Sequence, residues 1–159
     1  MSGPTPALRP ATAADVAELV RLRRLMMAAM EVPEEPTWER ACAEFLTASL
    51  TEGTTGAVVA DDPERPGRLV ACGVGTVAAR LPGPATPNGR YGYIASMVTE
   101  ERWRGRGLAT GIVLALLDWF EGIGVHRVDL HASAQGEPIY RALGFTESAF
   151  PELRWRRAH

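Results

Sequence analysis

Between Val16 and Met30 the apolar positions Val16, Leu19, Val20, Met26 and Met30 recur at helical spacing and share one face. Thr12-Ala13-Ala14-Asp15 just before them has the form of a capping box with Asp in the acidic position. Leu8-Arg9, further upstream, reads as a short first strand. Pro33 and Pro36 break the helix, and Thr37 can cap a second one, whose buried face is Trp38, Ala41, Phe45 and Ala48 up to about Leu50. After Gly53 and Gly56 the character changes to strand. Ala57 to Asp61 and Leu69 to Ala79 predict an antiparallel hairpin with a longer loop, and Tyr91 to Val98 a further strand with Tyr91, Tyr93, Ala95 and Met97 on one face. The segment from Arg80 to Arg90 holds three prolines and two glycines, which predicts a mobile surface connection. Leu108, Ile112, Ala115, Leu116 and Trp119 line one side of a helix that stops near Gly122 and Gly124. Val125 to His131 then returns as a strand, parallel to the one before the helix. Pro138 opens a short helix to Leu143 that Gly144 stops, and Phe145 to Trp155 completes the sheet. The order describes an α+β layer structure with a mixed sheet.

A length of 159 residues fits one domain, 1–159, with a core of useful size. Net charge is −2 and the chain contains no lysine, so a nucleic-acid surface has little global support. The arginines gather in the 102–106 segment and at Arg154, Arg156 and Arg157, the latter reading as a solvated edge strand or tail. Cys42 and Cys72 have no Cys or His neighbour at metal-ligand spacing and read as buried thiols in a reducing compartment. His126, His131 and His159 are too scattered for a zinc site, so no metal is expected. Met1 to Pro10 lacks a basic-then-apolar pattern and no apolar run approaches membrane-spanning length, so no membrane association and a cytoplasmic location are expected.

The stretch from Met97 to Ala109 joins a strand end, a basic glycine loop and a helix start. A helix N-terminus offers unpaired N–H groups and positive dipole, and Gly105 and Gly107 let an anion approach them. Arg102, Arg104 and Arg106 add charge suited to phosphate oxygens. The alternative is a surface turn with solvated arginines; the strand-loop-helix context favours a cradle for a polyanion. A P-loop is excluded, because no Gly-Lys pair exists. Gly73-Val74-Gly75-Thr76-Val77-Ala78 matches a dinucleotide fingerprint in letters only: it sits inside a strand-like run with no helix after it, and reads as a bulged or closely approached strand.

With these residues the chain resembles the GNAT superfamily of acyl-CoA-dependent N-acyltransferases. Arg104-Gly105-Arg106-Gly107-Leu108-Ala109 satisfies the family signature [QR]-x-x-G-x-[GA], Arg102-x-x-Gly105-x-Gly107 offers an overlapping frame, and Tyr140-Arg141-Ala142-Leu143-Gly144-Phe145 is similar to its second signature, Y-x-x-x-G-F. The resemblance covers essentially the whole chain. It implies a GNAT-like mixed sheet with helices on both faces and a splayed central parallel strand pair, with acetyl-CoA as acyl donor. On this sequence it implies that Met97 and Val98 present main-chain groups to the pantetheine arm, with the Val98 amide meeting the oxyanion. Arg102, Arg104, Gly105, Arg106, Gly107, Leu108 and Ala109 would hold the pyrophosphate. Tyr140 would protonate the leaving thiolate, since a phenol of pKa ~10 is protonated at neutral pH. Many members carry Asn-x-x-Ala-x-x-x-Tyr where this chain has Ser133-x-x-Gly136-x-x-x-Tyr140, and serine reaches the arm less far.

An alkylammonium of pKa ~10.4 leaves only ~10⁻³ to 10⁻⁴ of its population as the nucleophilic amine at pH 7, so the proton must be removed. Tyr93 is the candidate beside the amine, against the alternative of a packed strand tyrosine. Glu31 and Glu34, with Glu35, can attract an ammonium, and Trp38 can offer a cation-π wall; solvated loop acids and a core tryptophan are the alternative. The expected function is N-acetyl transfer from acetyl-CoA to the primary amine of a small molecule by direct attack in a ternary complex. An idle acyl-CoA-binding sensor and a protein or peptide N-acetyltransferase remain alternatives. The C-terminal edge strand would allow a homodimer.

Overall fold

In the computed structural model, which describes residues 3–158, the Asp15 carboxylate accepts the Thr12 N–H at 2.8 Å, as the capping-box spacing predicts. Met1, Ser2 and His159, which enter the readings of the N-terminus and of the histidines, lie outside the described residues. A 3₁₀ turn, Ala13–Asp15, leads into α1 (Val16–Ala29). Arg9, on β1 (Leu8–Pro10), forks onto Asp15 at 2.9 Å and onto Asp61 at 2.7 Å, tying the first strand to the helix start and to the end of β2 (Thr55–Asp61). The buried residues of α1 are Val16, Leu19, Val20 and Leu22. Met30, expected on that face, is 63% exposed because the helix stops one residue earlier.

The second helix, α2 (Trp38–Glu52), buries a face one position on from the expected one. Leu46 and Ser49 are buried and Trp38, Cys42 and Leu50 partly so, while Ala41, Phe45 and Ala48 face solvent. The displaced face depends on a serine taking a core position, which its hydroxyl tolerates by donating to the Phe45 carbonyl at 2.6 Å. Gly53, in the left-handed region at φ +79°, ends the helix.

Strands β2, β3 (Leu69–Ala79), β4 (Arg90–Thr99) and β5 (Val128–Leu130) join β1 in one sheet of order β1-β2-β3-β4-β5. All pairs are antiparallel except β4 with β5, which are parallel, and α3 (Leu108–Gly122) links those two. Helices cover both faces. On one, α1 and α2 pack over Val59, Cys72, Val74 and Val98; on the other, α3 and the short α4 (Glu137–Ala142) enclose Ile94, Ile112, Leu116, Phe120 and Tyr140. This is the α+β mixed-sheet architecture expected of the sequence.

Glycines pave the sheet beneath α3. A Cβ on Gly73 would lie 2.5 Å from Ile112 Cγ2, on Gly75 2.8 Å from Phe120 Cζ, and on Gly92 2.7 Å from Phe120 Cε1. The dinucleotide-like run is therefore a strand whose glycines leave its α3 face bare at two positions, so that a helix can approach it closely.

Three expectations fail toward the C-terminus and the surface. The fifth strand covers only Val128–Leu130 rather than Val125 to His131. Phe145 to Trp155 forms no strand: Phe150, Leu153 and Trp155 are 82, 88 and 80% exposed, and Pro151 removes a ladder donor opposite a partner strand only three residues long. The parallel pair thus ends the sheet, and the C-terminal edge through which a homodimer was expected is not formed. The Arg80–Arg90 connection is pinned rather than loose: Arg80 N–H donates to Gly89 C=O at 2.8 Å and Asn88 Nδ2 to Gly124 C=O at 2.7 Å.

Replacing Gly92 by valine should overpack the Phe120 contact and cost about 1–3 kcal/mol, read as a lower urea midpoint at unchanged slope. Gly83→Ala, where a Cβ meets nothing within 4 Å, should leave the midpoint in place.

Candidate functional site

The site is organised by a bulge in β4. Cys72 pairs with Val98 and Val74 with Ala95, so β4 carries one residue more than β3 between these pairs, and Ser96 absorbs it at φ +55°. A serine in the left-handed region is strained by ~1–3 kcal/mol, a cost found disproportionately at functional sites. The bulge exchanges faces. Before it, Gly92 and Ile94 face α3, which puts Tyr93 and Ala95 on the α1/α2 side; after it, Met97 packs toward Gly73 and Ile112 on the α3 side and Val98 enters the α1/α2 core. The single face expected for Tyr91, Tyr93, Ala95 and Met97 is therefore broken at Met97.

Pairing of β4 with β5 ends at Ile94 with Leu130, so the edge from Ala95 to Thr99 has no strand partner among the described residues. The direction of its main-chain groups follows from two bonds. Glu100 N–H donates to Val70 C=O in β3 at 2.9 Å, and Arg104 Nε reaches Thr99 C=O from the other side at 3.1 Å. Alternation then turns Val98 toward β3 and Met97 and Thr99 toward the open edge. This corrects the expectation for Val98, whose amide faces its neighbour strand and whose side chain is 8% exposed in the core.

Beyond β4 a 3₁₀ turn, Glu101–Trp103, buries Trp103 and fixes the start of the glycine loop. Gly105 and Gly107 stand at φ +74° and +79°, with open space where a Cβ would be. The first helical bond of α3 runs from Gly111 N–H to Gly107 C=O at 3.1 Å, and the N–H groups from Gly105 to Thr110, those of Leu108 and Ala109 included, have no protein acceptor among the described residues. Of the three arginines, Arg102 is paired with Glu64 at 2.8 Å. Arg106 lies over the Trp103 ring at 4.6 Å, and neither it nor Arg104 meets a carboxylate among the described residues.

Tyr140, on α4, lies on the α3 side of the sheet at 9% exposure, its ring edge-on to Phe145. Burial raises its pKa above the ordinary phenol value, which keeps it a proton donor. Ser133 Oγ accepts the Gly136 N–H at 3.1 Å, closing the turn into α4, and a Cβ on Gly136 would lie 2.9 Å from Tyr140 Cε2. Tyr93 Oη, on the opposite side, is hydrogen-bonded to His131 Nδ1, and His131 Nε2 meets Glu152 Oε2 at 2.9 Å. Burial, then the charge of Glu152, raises the Tyr93 pKa, opposed by Arg154, the His131 backbone and Arg23. His131 and Glu152 escaped the sequence reading, since the residues lie 38 and 21 positions apart: the parallel register of β4 and β5 brings His131 to Tyr93, and the C-terminal segment brings Glu152 to His131.

Glu31 and Glu34 are exposed, and Trp38 packs against the α1/α2 core; none bonds to Tyr93, His131 or Tyr140. A hollow of 340 Å³ at the far end of the sheet, between Leu8, Gly56 and Trp119, contains none of the expected site residues. Among the described residues no helix is long and apolar enough to cross a membrane.

Residues 19–145 match the model of the Acetyltransferase (GNAT) family. A protein of Oryza sativa subsp. japonica described as glucosamine 6-phosphate N-acetyltransferase 1 is 26% identical over 154 residues, covering 91% of this chain and 92% of its own. Among solved structures, a predicted acetyltransferase with acetyl-CoA from Clostridium acetobutylicum superposes with a TM-score of 0.83 at 24% identity, covering 93% of this chain and 95% of the other. The glucosamine-6-phosphate N-acetyltransferase from Arabidopsis thaliana gives a TM-score of 0.73 at 17% identity, covering 96% and 99%.

Neither cysteine belongs to this constellation. Cys72 is fully buried and its thiol is pushed up to about 12 by that burial, while Cys42 is half-buried. A disulfide-exchange reagent at neutral pH should modify Cys42 alone in the native protein and both thiols after unfolding, read as released chromophore per chain.

Proposed function

The chain belongs to the GNAT acetyltransferase family, and from that membership we propose that it transfers an acetyl group from acetyl-CoA to the primary amine of a small molecule. The observation that carries the reading is a pair of neighbouring main-chain stretches open to a ligand: the β4 edge at Met97 and Thr99, which no further strand covers among the described residues, and the amides of Gly105 through Thr110, which have no protein acceptor among them. An extended amide-bearing arm can add to such an edge as a further strand would, and a diphosphate can seat on such a helix start. Leu108 and Ala109 would give amides there, and Arg104 and Arg106 charge; Arg102 must first release Glu64. Acetyl-CoA, when bound, supplies a thioester carbonyl open to nucleophilic attack.

The residues of the chain divide the remaining work by face. Tyr140, on the α3/α4 side, would give its proton to the departing sulfur. Tyr93, on the α1/α2 side, would receive the amine. The Met97 amide, in place of that of Val98, would meet the negative charge developing on the acyl oxygen. Ser133, already accepting the Gly136 N–H, keeps its O–H to donate to the arm. The Oryza sativa relative makes amino-sugar phosphates the first acceptors to try.

Thiol release from acetyl-CoA across a panel of amino sugars and their phosphates, amino acids and polyamines tests the reading. Acetyl-CoA binding without release from any amine would select a sensor instead. Tyr140→Phe should lower kcat by about 100-fold with the acetyl-CoA Kd unchanged, and equal turnover would remove the role. Gly107→Asp, which forces a side chain at φ +79° and sets a carboxylate at the cradle, should abolish acetyl-CoA binding in calorimetry while the circular dichroism spectrum is kept.

A further inference from the structure

We infer that His131 and Glu152 are positioning residues behind Tyr93, forming with it a relay that takes the proton from the acceptor ammonium; this rests on the acetyl-transfer reading. Tyr93 is one residue before the last β4 position paired with β5, and His131 is the residue directly after the last β5 position so paired. Their hydrogen bond therefore crosses the two parallel strands at the point where they part, beside the open edge that begins at Ala95.

The hydrogen-bond chain sets the tautomer. Glu152 has only acceptor oxygens, so at 2.9 Å it takes a proton from His131 Nε2, which leaves Nδ1 as the nitrogen that accepts the Tyr93 hydroxyl. The phenol oxygen then has lone pairs to offer an ammonium. As the ammonium gives a proton to Tyr93 Oη, the Tyr93 proton passes to His131 Nδ1, and the imidazolium so formed is held against the Glu152 carboxylate until it releases the proton to solvent. The amine nitrogen forms its bond to the acyl carbon as the carbon–sulfur bond breaks. The proton the nitrogen then sheds replaces the one Tyr140 gives to sulfur, so one proton leaves per turnover, through His131.

The charged surroundings suit this. Glu152 and Asp129 are the anions facing the pair, Asp129 already holding Arg127 at 3.5 Å; Arg23 from α1 and Arg154 from the C-terminal segment are the cations. Arg23 has no carboxylate partner among the described residues, and neither arginine can accept a proton.

Tyr93→Phe, His131→Gln and Glu152→Gln should each lower kcat/KM for the amine by about 10–100-fold at pH 7, with the acetyl-CoA Kd unchanged. The deficit should shrink toward parity as pH approaches the amine's own pKa, because free amine then needs no acceptor; a merely structural role would leave it constant. The Tyr93→Phe/His131→Gln double variant should be no slower than its slower single parent. Independently of turnover, long-range ¹H–¹⁵N spectra should show neutral His131 protonated on Nε2, and Glu152→Gln should redistribute that proton. A pH-independent deficit in an active enzyme, full activity of His131→Gln, or an Nδ1–H tautomer overturns the relay alone. A parent enzyme inert with every amine, its Nε2–H tautomer intact, overturns the acetyl-transfer reading and takes the relay's purpose with it.

Discussion

Close contact between α3 and a sheet face stripped to glycine is the constraint on which the site depends. With Gly73, Gly75 and Gly92 beneath Ile112 and Phe120, the helix sits near the strands, and at those positions the helix side chains fill the space that sheet side chains would otherwise take. The short link from Thr99 to Leu108 can then bring a strand end and a helix start together without a gap. Trp103 is buried at the start of the loop, and the two glycines beyond it stand in the left-handed conformation with open space around them. A cradle preformed in this way spends less binding energy on ordering its own backbone.

The same face of glycine permits the bulge. Gly73 lies opposite the extra residue of β4, and the Met97 side chain swings into the space that a Cβ on Gly73 would claim, 2.5 Å from its sulfur. Strain at Ser96 is therefore the consequence of putting Met97 and Val98 each on the side where it can be buried. Its chemical result is a division of labour. A phenol before the bulge faces α1 and α2, and a phenol on α4 lies on the opposite side of the sheet. On the acetyl-transfer reading, two phenols on opposite faces would let proton removal from the amine and proton delivery to the thiolate be served by separate groups.

Much of this was legible in the sequence because it rests on local signals. Thr12 with Asp15, Gly53, Gly105, Gly107 and Gly144 mark element ends through backbone requirements that no tertiary contact overrides. The glycine loop and Tyr140 were found for the same reason, with family resemblance supplying roles that spacing alone could not. What escaped depends on registers set between distant segments. A bulge has no local mark when the residue bearing it is a serine, so the face of Met97 and the direction of the Val98 amide were misjudged. The α2 face was displaced because a buried serine satisfied by its own helix reads as polar. His131 looked isolated because its partners come from β4 and from a C-terminal stretch whose alternating pattern suggested a strand that does not form.

The departure at Ser133 and Gly136 is best understood as one change rather than two. Tyr140 is nearly buried, and its ring passes so close to Gly136 that an alanine there would push it by several tenths of an ångström. A bare Gly136 lets the ring settle inward, but it also loosens the turn into α4, since glycine gives up more conformational freedom than alanine on folding. Ser133 compensates by closing that turn through its hydroxyl, a short bond that a longer asparagine side chain would form in a different place. On the acetyl-transfer reading the serine would trade reach toward the cofactor arm for control of the helix that carries Tyr140. On the same reading the proton donor would keep its precision, and the lost contact would fall on a part of the ligand that the open edge of β4 could hold through Met97 and Thr99.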